Sequence, residues 1–292
     1  MSSILNAFPG NTLAEQVAGL AEQRAASRLS RRRMIAALGA AGAAAGTMAL
    51  TGCDNGSSQL PVTPGAGTPG VVDVLNFALN LEYLEASFYM FVSAGAGLSA
   101  TDMGTSPGTV SGGAQVTFTN PIVTSAAVQL ATDEREHVEF LRTTISGIGG
   151  TPVSMPNINL AAGGAVTSDA TFLAAARQLE ATGISAYIGG AQYLVSNTTA
   201  VLYAAQILDT ESQHEGFLRE LCIALGVTSP AVDSMDMPPT ATQIFNTSPT
   251  TGLNPVRTTS QVLQIVYAAA GKTGVSSGGF FPNGLNGTIV TS

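Results

Sequence analysis

Two histidines are all the imidazole chemistry available to this chain of 292 residues, and each stands three residues after a glutamate. The segments read Glu134-Arg135-Glu136-His137 and Glu211-Ser212-Gln213-His214. On a helix, three-residue spacing puts both side chains on one face, where they can reach a single metal ion. With eleven glutamates in the chain, chance places one at this offset before both histidines about once in seven hundred. The zincin pattern His-Glu-x-x-His is excluded, because Asp133 and Thr210 precede the two glutamates.

Two further glutamates lie in apolar settings, Glu82 between Leu81 and Tyr83 and Glu180 after Leu179. Each is followed seven residues later by a tyrosine, Tyr89 and Tyr187, on the same helical stripe. Glu-x6-Tyr followed by Glu-x-x-His thus occurs twice. Phe140-Leu141-Arg142 and Phe217-Leu218-Arg219 follow the two histidines at one offset and reinforce the repeat. Four carboxylates and two imidazoles inside an apolar bundle are costly unless cations accompany them. Two divalent ions would match four carboxylates with neutral imidazoles. The alternative is that these acids lie on helix surfaces by coincidence, which a chain with 10% charged residues makes less natural.

The neighbours divide. Glu85, one turn after Glu82, is an additional or replacement ligand, although the tyrosine repeat selects Glu82. Glu136, Glu139, Glu215 and Glu220 fall off the inner stripe and are expected to face solvent. Asp133 and Asp209 can hold a histidine N–H or lie exposed. Tyr89 and Tyr187 are the candidate catalytic groups, as redox-active side chains or as donors to the carboxylates; packing in the core with a satisfied hydroxyl is the simpler role. Cys222 reads as a small buried hydrophobe.

These residues need helices to position them. Four apolar stretches of helical length cover about 71–92, 121–145, 169–195 and 199–225, with little strand-like alternation. The first is apolar nearly all round and should be buried on most faces. Pro121 suits a first helical position, Ser168 or Asp169 an N-cap, and Gly226 a left-handed stop. The fold expected is all-α, a four-helix bundle over 71–226. A Gly/Ser/Thr-rich loop (about 93–120) follows the first helix, and a long crossover (147–167) joins the second to the third. Only residues 196–198 separate the third and fourth, which makes them antiparallel neighbours. An irregular C-terminal extension, 227–292, carries one helix at about 260–270 and either packs on the bundle or projects from it.

Composition narrows the function classes. Charge fraction and apolar content rule out disorder throughout. A formal net charge of −8 and a single lysine, Lys272, argue against nucleic-acid binding. Two cysteines cannot build a disulfide scaffold or a Cys-rich zinc site. Residues 1–53 read as an address, with Arg31-Arg32-Arg33 ahead of an Ala/Gly-rich apolar stretch that ends in Leu50-Thr51-Gly52-Cys53. That order resembles a twin-arginine export signal ending in a bacterial lipobox, with Cys53 the residue acylated after cleavage. Residues 54–70 would be a flexible tether. The chain after Cys53 carries a net charge of −11. The membrane enters only through the lipid anchor, which places the protein in the periplasm or cell envelope.

The paired glutamates and Glu-x-x-His motifs resemble the ferritin-like di-iron carboxylate superfamily over about 71–225. Within it, the nearest likeness is to ferritin-like domain proteins of the group that includes desiccation-related proteins. The resemblance implies Glu82 and Glu180 as terminal carboxylates, Glu134 and Glu211 as bridging ones, and His137 and His214 as nitrogen ligands. It implies two iron ions, with manganese an alternative, and O2 or peroxide as substrate. The activity to expect is that of a ferroxidase or peroxide scavenger in envelope stress. A di-manganese catalase-like enzyme and a non-enzymatic, stress-protective metal-binding scaffold are the other readings. An oligomer is open, whereas a storage cage fits poorly with a tether, a long loop and a long tail.

Overall fold

The computed structural model describes residues 68–292. The expectations for the leader, Cys53 and nearly all of the tether lie outside the described residues. Four long helices dominate: α1 (Val71–Ala94), α3 (Pro121–Gly147), α4 (Asp169–Leu194) and α5 (Thr198–Ala224). Two short ones accompany them, α2 (Ala100–Met103) and α6 (Thr259–Val266). All four long helices begin and end within two residues of where the sequence places them.

Their ends follow from local chemistry. The Asp73 carboxylate accepts the Gly70 N–H at 2.9 Å, and Gly95 closes α1 in the left-handed region at φ 70°. The Asn120 side chain accepts from the Ile122 N–H, and Pro121 occupies the first turn of α3. Ser168, not Asp169, caps α4, its hydroxyl accepting the Thr171 N–H at 3.3 Å. Asp169 instead accepts the N–H groups of Thr119 and Asn120, which ties the starts of α3 and α4 together. Asn197 caps α5, and Gly226 turns the chain out at φ 66°.

The helices form two hairpins, α1 with α3 and α4 with α5, and α1 meets α4 across the bundle. Sixteen of the twenty-four residues of α1 are buried, as its all-round apolar sequence requires. Among the described residues no helix is long and apolar enough to cross a membrane.

The loop after α1 and the crossover after α3 lie side by side. Two-residue strands, β1 (Val110–Ser111) and β2 (Ile158–Asn159), pair in parallel. Gly108 makes this approach possible, since its N–H donates to the Met155 carbonyl and a Cβ there would lie 2.4 Å from the Asn157 nitrogen.

The C-terminal extension packs on the bundle. Val262, Leu263, Val266, Phe281 and Leu285 join the core. Asn80 and Asn286 exchange two hydrogen bonds, at 2.9 and 3.1 Å, between the middle of α1 and the far end of the chain. α6 ends earlier than the sequence suggests because Ala268 takes a left-handed conformation, φ 53°. Its successor's N–H then returns to the Gln264 carbonyl, and the Phe280 N–H takes the Val266 carbonyl. Ala268 is the one described non-glycine residue at positive φ, so Ala268→Gly should stabilise the fold by about 0.5–1 kcal/mol. Urea unfolding of the two proteins side by side checks this.

Candidate metal centre

The two hairpins bring one glutamate from α1, one from α4, and a Glu-x-x-His pair from each of α3 and α5 to the middle of the bundle. Glu82, Glu134, Glu180 and Glu211 have no solvent exposure at all. His137 is buried and His214 nearly so. Their atoms fall into two groups close enough together to hold a metal ion, Glu82–Glu134–His137–Glu211 and Glu134–Glu180–Glu211–His214.

The distances show how the groups share residues. His137 Nδ1 lies 3.3 Å from Glu82 Oε2, 3.1 Å from Glu134 Oε2 and 3.0 Å from Glu211 Oε1. His214 Nδ1 lies 3.1 Å from Glu134 Oε1, 3.4 Å from Glu180 Oε2 and 3.9 Å from Glu211 Oε2. Glu134 and Glu211 therefore turn one oxygen toward each imidazole, while Glu82 and Glu180 each serve one side.

The remaining oxygens are pinned from across the bundle. Tyr187 donates to Glu82 Oε1 and Tyr89 to Glu180 Oε1, both at 2.5 Å. Each tyrosine serves the glutamate of the other hairpin, not the one seven residues before it. Burial, reinforced by the neighbouring glutamates, raises both phenols well above their ordinary range and keeps them protonated donors. Asp133 Oδ2 stands 3.2 Å from His214 Nε2, within reach of a ring N–H. Asp209 on α5, two residues before Glu211, is exposed and accepts from the Gln213 side chain.

The electrostatics call for cations. Among the described residues, six buried side-chain polar atoms have no hydrogen-bond partner: Glu82 Oε2, Glu134 Oε1, Glu180 Oε2, both oxygens of Glu211, and His214 Nδ1. All six point into the cluster, and such orphans are rare in folded proteins. Burial lifts Glu82 to about 7 and Glu211 well above the carboxylate range. Burial opposes charge on Glu134 too, but the two imidazoles that face it outweigh burial and hold this carboxyl at about 2. Burial likewise opposes charge on the histidines, yet the surrounding carboxylates, Glu82 foremost at His137 and Glu180 at His214, drive both upward, His214 to about 11. Two imidazolium charges answer half of four carboxylates; two divalent cations answer all of them. A donor set of carboxylate oxygens and imidazole nitrogens suits first-row divalent ions.

Two neighbours depart from expectation or stand aside. Glu215, expected in solvent, is buried, because Arg219 sits within 3.4 Å and the C-terminal extension covers it. Glu85 is buried but belongs to neither group; its Oε1 lies 3.1 Å from where a Cβ on Gly183 would stand. Glu136, Glu139 and Glu220 are exposed, and Cys222 is fully buried. Sequence reasoning missed the buried Arg177, Arg219 and Arg257. The repeated Phe-Leu-Arg was a signal for Arg219.

Residues 70–224 match the family model described as ferritin-like domain. A crystal structure of ferritin-like, diiron-carboxylate proteins from Bacillus anthracis str. Ames is similar, at 21% identity over 52% of this chain and 94% of that one, with a TM-score of 0.39. A search of curated proteins finds no match.

Tyr187→Phe leaves Glu82 Oε1 without its donor, so the metal-free protein should lose about 1–3 kcal/mol of stability. Tyr203→Phe, at a ring that meets Phe140 edge-on, should stay within about 0.5 kcal/mol of wild type. Chemical denaturation in the presence of chelator measures both, and equal losses would count against the Tyr187–Glu82 bond.

Proposed function

The chain belongs to the ferritin-like domain family, and from that premise we propose that its buried cluster holds two divalent metal ions, iron in the native protein. The observation that carries this reading is the set of six orphaned polar atoms converging between two imidazoles. His137 with Glu82 would hold one ion and His214 with Glu180 the other, with Glu134 and Glu211 each giving an oxygen to both. When bound, two irons supply oxidation–reduction chemistry toward O2 or peroxide, as a ferroxidase or a peroxide scavenger.

The chain's own residues prepare the site for that chemistry. Tyr187 and Tyr89 hold the outer oxygens of Glu82 and Glu180, which leaves Oε2 of each directed inward. A proton on His214 Nε2 directed at Asp133 leaves the Nδ1 lone pair free for a cation. Complete burial of the four carboxylates keeps bulk water from competing for their oxygens and strengthens every charge interaction among them. The paired arginines and the lipobox before Cys53 support placing this activity in an exported, lipid-anchored protein of the cell envelope.

Metal analysis of the protein purified under loading conditions should give about two metal ions per chain, and fewer than about one sinks the reading. Glu134→Ala combined with Glu211→Ala should abolish binding. Added metal at about a hundred times its Kd should stabilise wild type by roughly 2.7 kcal/mol per site, and chelation should remove that gain. Oxygen-dependent Fe(II) oxidation supports the iron reading, whereas peroxide disproportionation with bound manganese replaces it by the catalase-like one. A metal-free double variant that retains the protein's cellular role would make the bundle a scaffold.

A further inference from the structure

The two halves of the bundle share more than their ligands. A shift of 98 residues carries Glu82 onto Glu180 and Tyr89 onto Tyr187. It also carries Asn76, Tyr83 and Ser87 of α1 onto Ala174, Ala181 and Ser185 of α4. These positions form a second stripe on each helix, about 100° round from the glutamate stripe.

On α1 that stripe is held by the crossover. Asn76 bonds the Thr151 carbonyl and the Val153 N–H, Tyr83 donates to the Val153 carbonyl, and Ser87 reaches Met155. Arg142 of the partner helix donates to Tyr83 and to the same Val153 carbonyl, at 2.7 and 3.3 Å.

On α4 no crossover is available, and the C-terminal extension occupies the corresponding place. Ser229 donates to the Ala174 carbonyl, Arg257 donates to the carbonyls of Ala181 and Ser185, and its own carbonyl crosses Gly189 so closely that a Cβ would lie 1.9 Å away. Arg219, at the position equivalent to Arg142, donates to the carbonyls of Gln243 and Ile244. One turn before Glu180, the buried Arg177 donates to Ser229, Pro230 and both oxygens of Asp236. Each half is therefore a helical hairpin with a strap of irregular chain across the back of its Glu-x6-Tyr helix.

We propose that residues 229–257, which lie beyond the span matched by the family model, form the strap that positions Glu180 for the second metal ion, with Arg177 as the positioning residue. A helix docked on one stripe cannot roll, so the side chain on the adjacent stripe keeps its aim into the cluster. The inference rests on the two-metal reading above. It assigns the extension a role in the centre itself, as the counterpart of the crossover that backs Glu82.

Cobalt(II) titration of the metal-free full-length protein, followed by visible absorption and calorimetry, tests it. Wild type should show two binding steps. Arg177→Met should weaken one step at least about tenfold and leave the other within about threefold, a scale typical of residues that orient metal ligands. The surviving step should match that of Glu180→Ala. Asn286→Ala, which removes the extension's side-chain bond to the Ser154 carbonyl of the crossover, should keep both steps. Arg177→Met strands Asp236 and can impair folding, so Arg177→Met with Asp236→Leu serves as the second variant. That pair should recover thermal stability while the weakened step stays weak. Recovery of both together, equal weakening of both steps, or two unaltered steps in folded Arg177→Met would each overturn the strap. Absence of binding to wild type would overturn the two-metal reading itself, and the strap with it.

Discussion

Four carboxylates with no access to water, placed in the middle of an apolar bundle, are the constraint on which the rest of this structure depends. Left as isolated anions they would carry a desolvation cost that no amount of neighbouring leucine could offset. The protein meets that cost by layers. Two imidazoles face the carboxylates directly, two phenols cross from the opposite hairpin to occupy the outer oxygens, and six inward atoms are left for cations. Each layer needs its helix held in azimuth and height, because a roll of one residue turns a glutamate by about 100° away from the centre. Precision of that kind explains why so much of the irregular chain is spent on the backs of α1 and α4.

The crossing of the tyrosines adds a coupling that two independent hairpins would lack. Tyr89 on α1 completes Glu180 on α4, and Tyr187 on α4 completes Glu82 on α1. Neither half can satisfy its terminal carboxylate alone, so docking of the hairpins and formation of the centre are one event. The same logic extends outward. Arg177 ties the extension to α4 through a buried ion pair with Asp236, whose removal on one side alone would strand a charge. Arg257, paired within the extension to Asp233, donates to the Ala181 carbonyl of α4.

How much of this the sequence reveals depends on whether a feature is periodic. The four long helices and the six cluster residues are legible because helical spacing repeats every turn and the motifs occur twice. The partner of each tyrosine is not, since seven-residue spacing points Tyr89 at Glu82 whereas the bond runs between hairpins. Glu215 lies off the inner stripe and reads as a surface acid; its burial depends on Arg219 and on chain that arrives from beyond Gly226. The extension is least legible of all. It is held by side-chain bonds to backbone carbonyls such as those of Ala174, Pro230 and Ile244, and a carbonyl has no sequence signature.

The repeat also shows where symmetry must fail. Glu85 has Gly183 as its counterpart under the 98-residue shift, and the two face each other closely enough that Glu85 Oε1 stands 3.1 Å from the missing Cβ. Where these two equivalent positions of the repeat meet, there is room for one side chain and not for two. A glutamate at 183 would set a second buried carboxylate against the first, in a region already holding four. Like charges so placed cannot all ionise. Burial and the nearby glutamates, Glu180 foremost, already push Glu85 well above the carboxylate range, which favours its neutral form. The glycine therefore lets two halves with nearly the same ligand pattern close on each other while only one contributes a carboxyl where they meet.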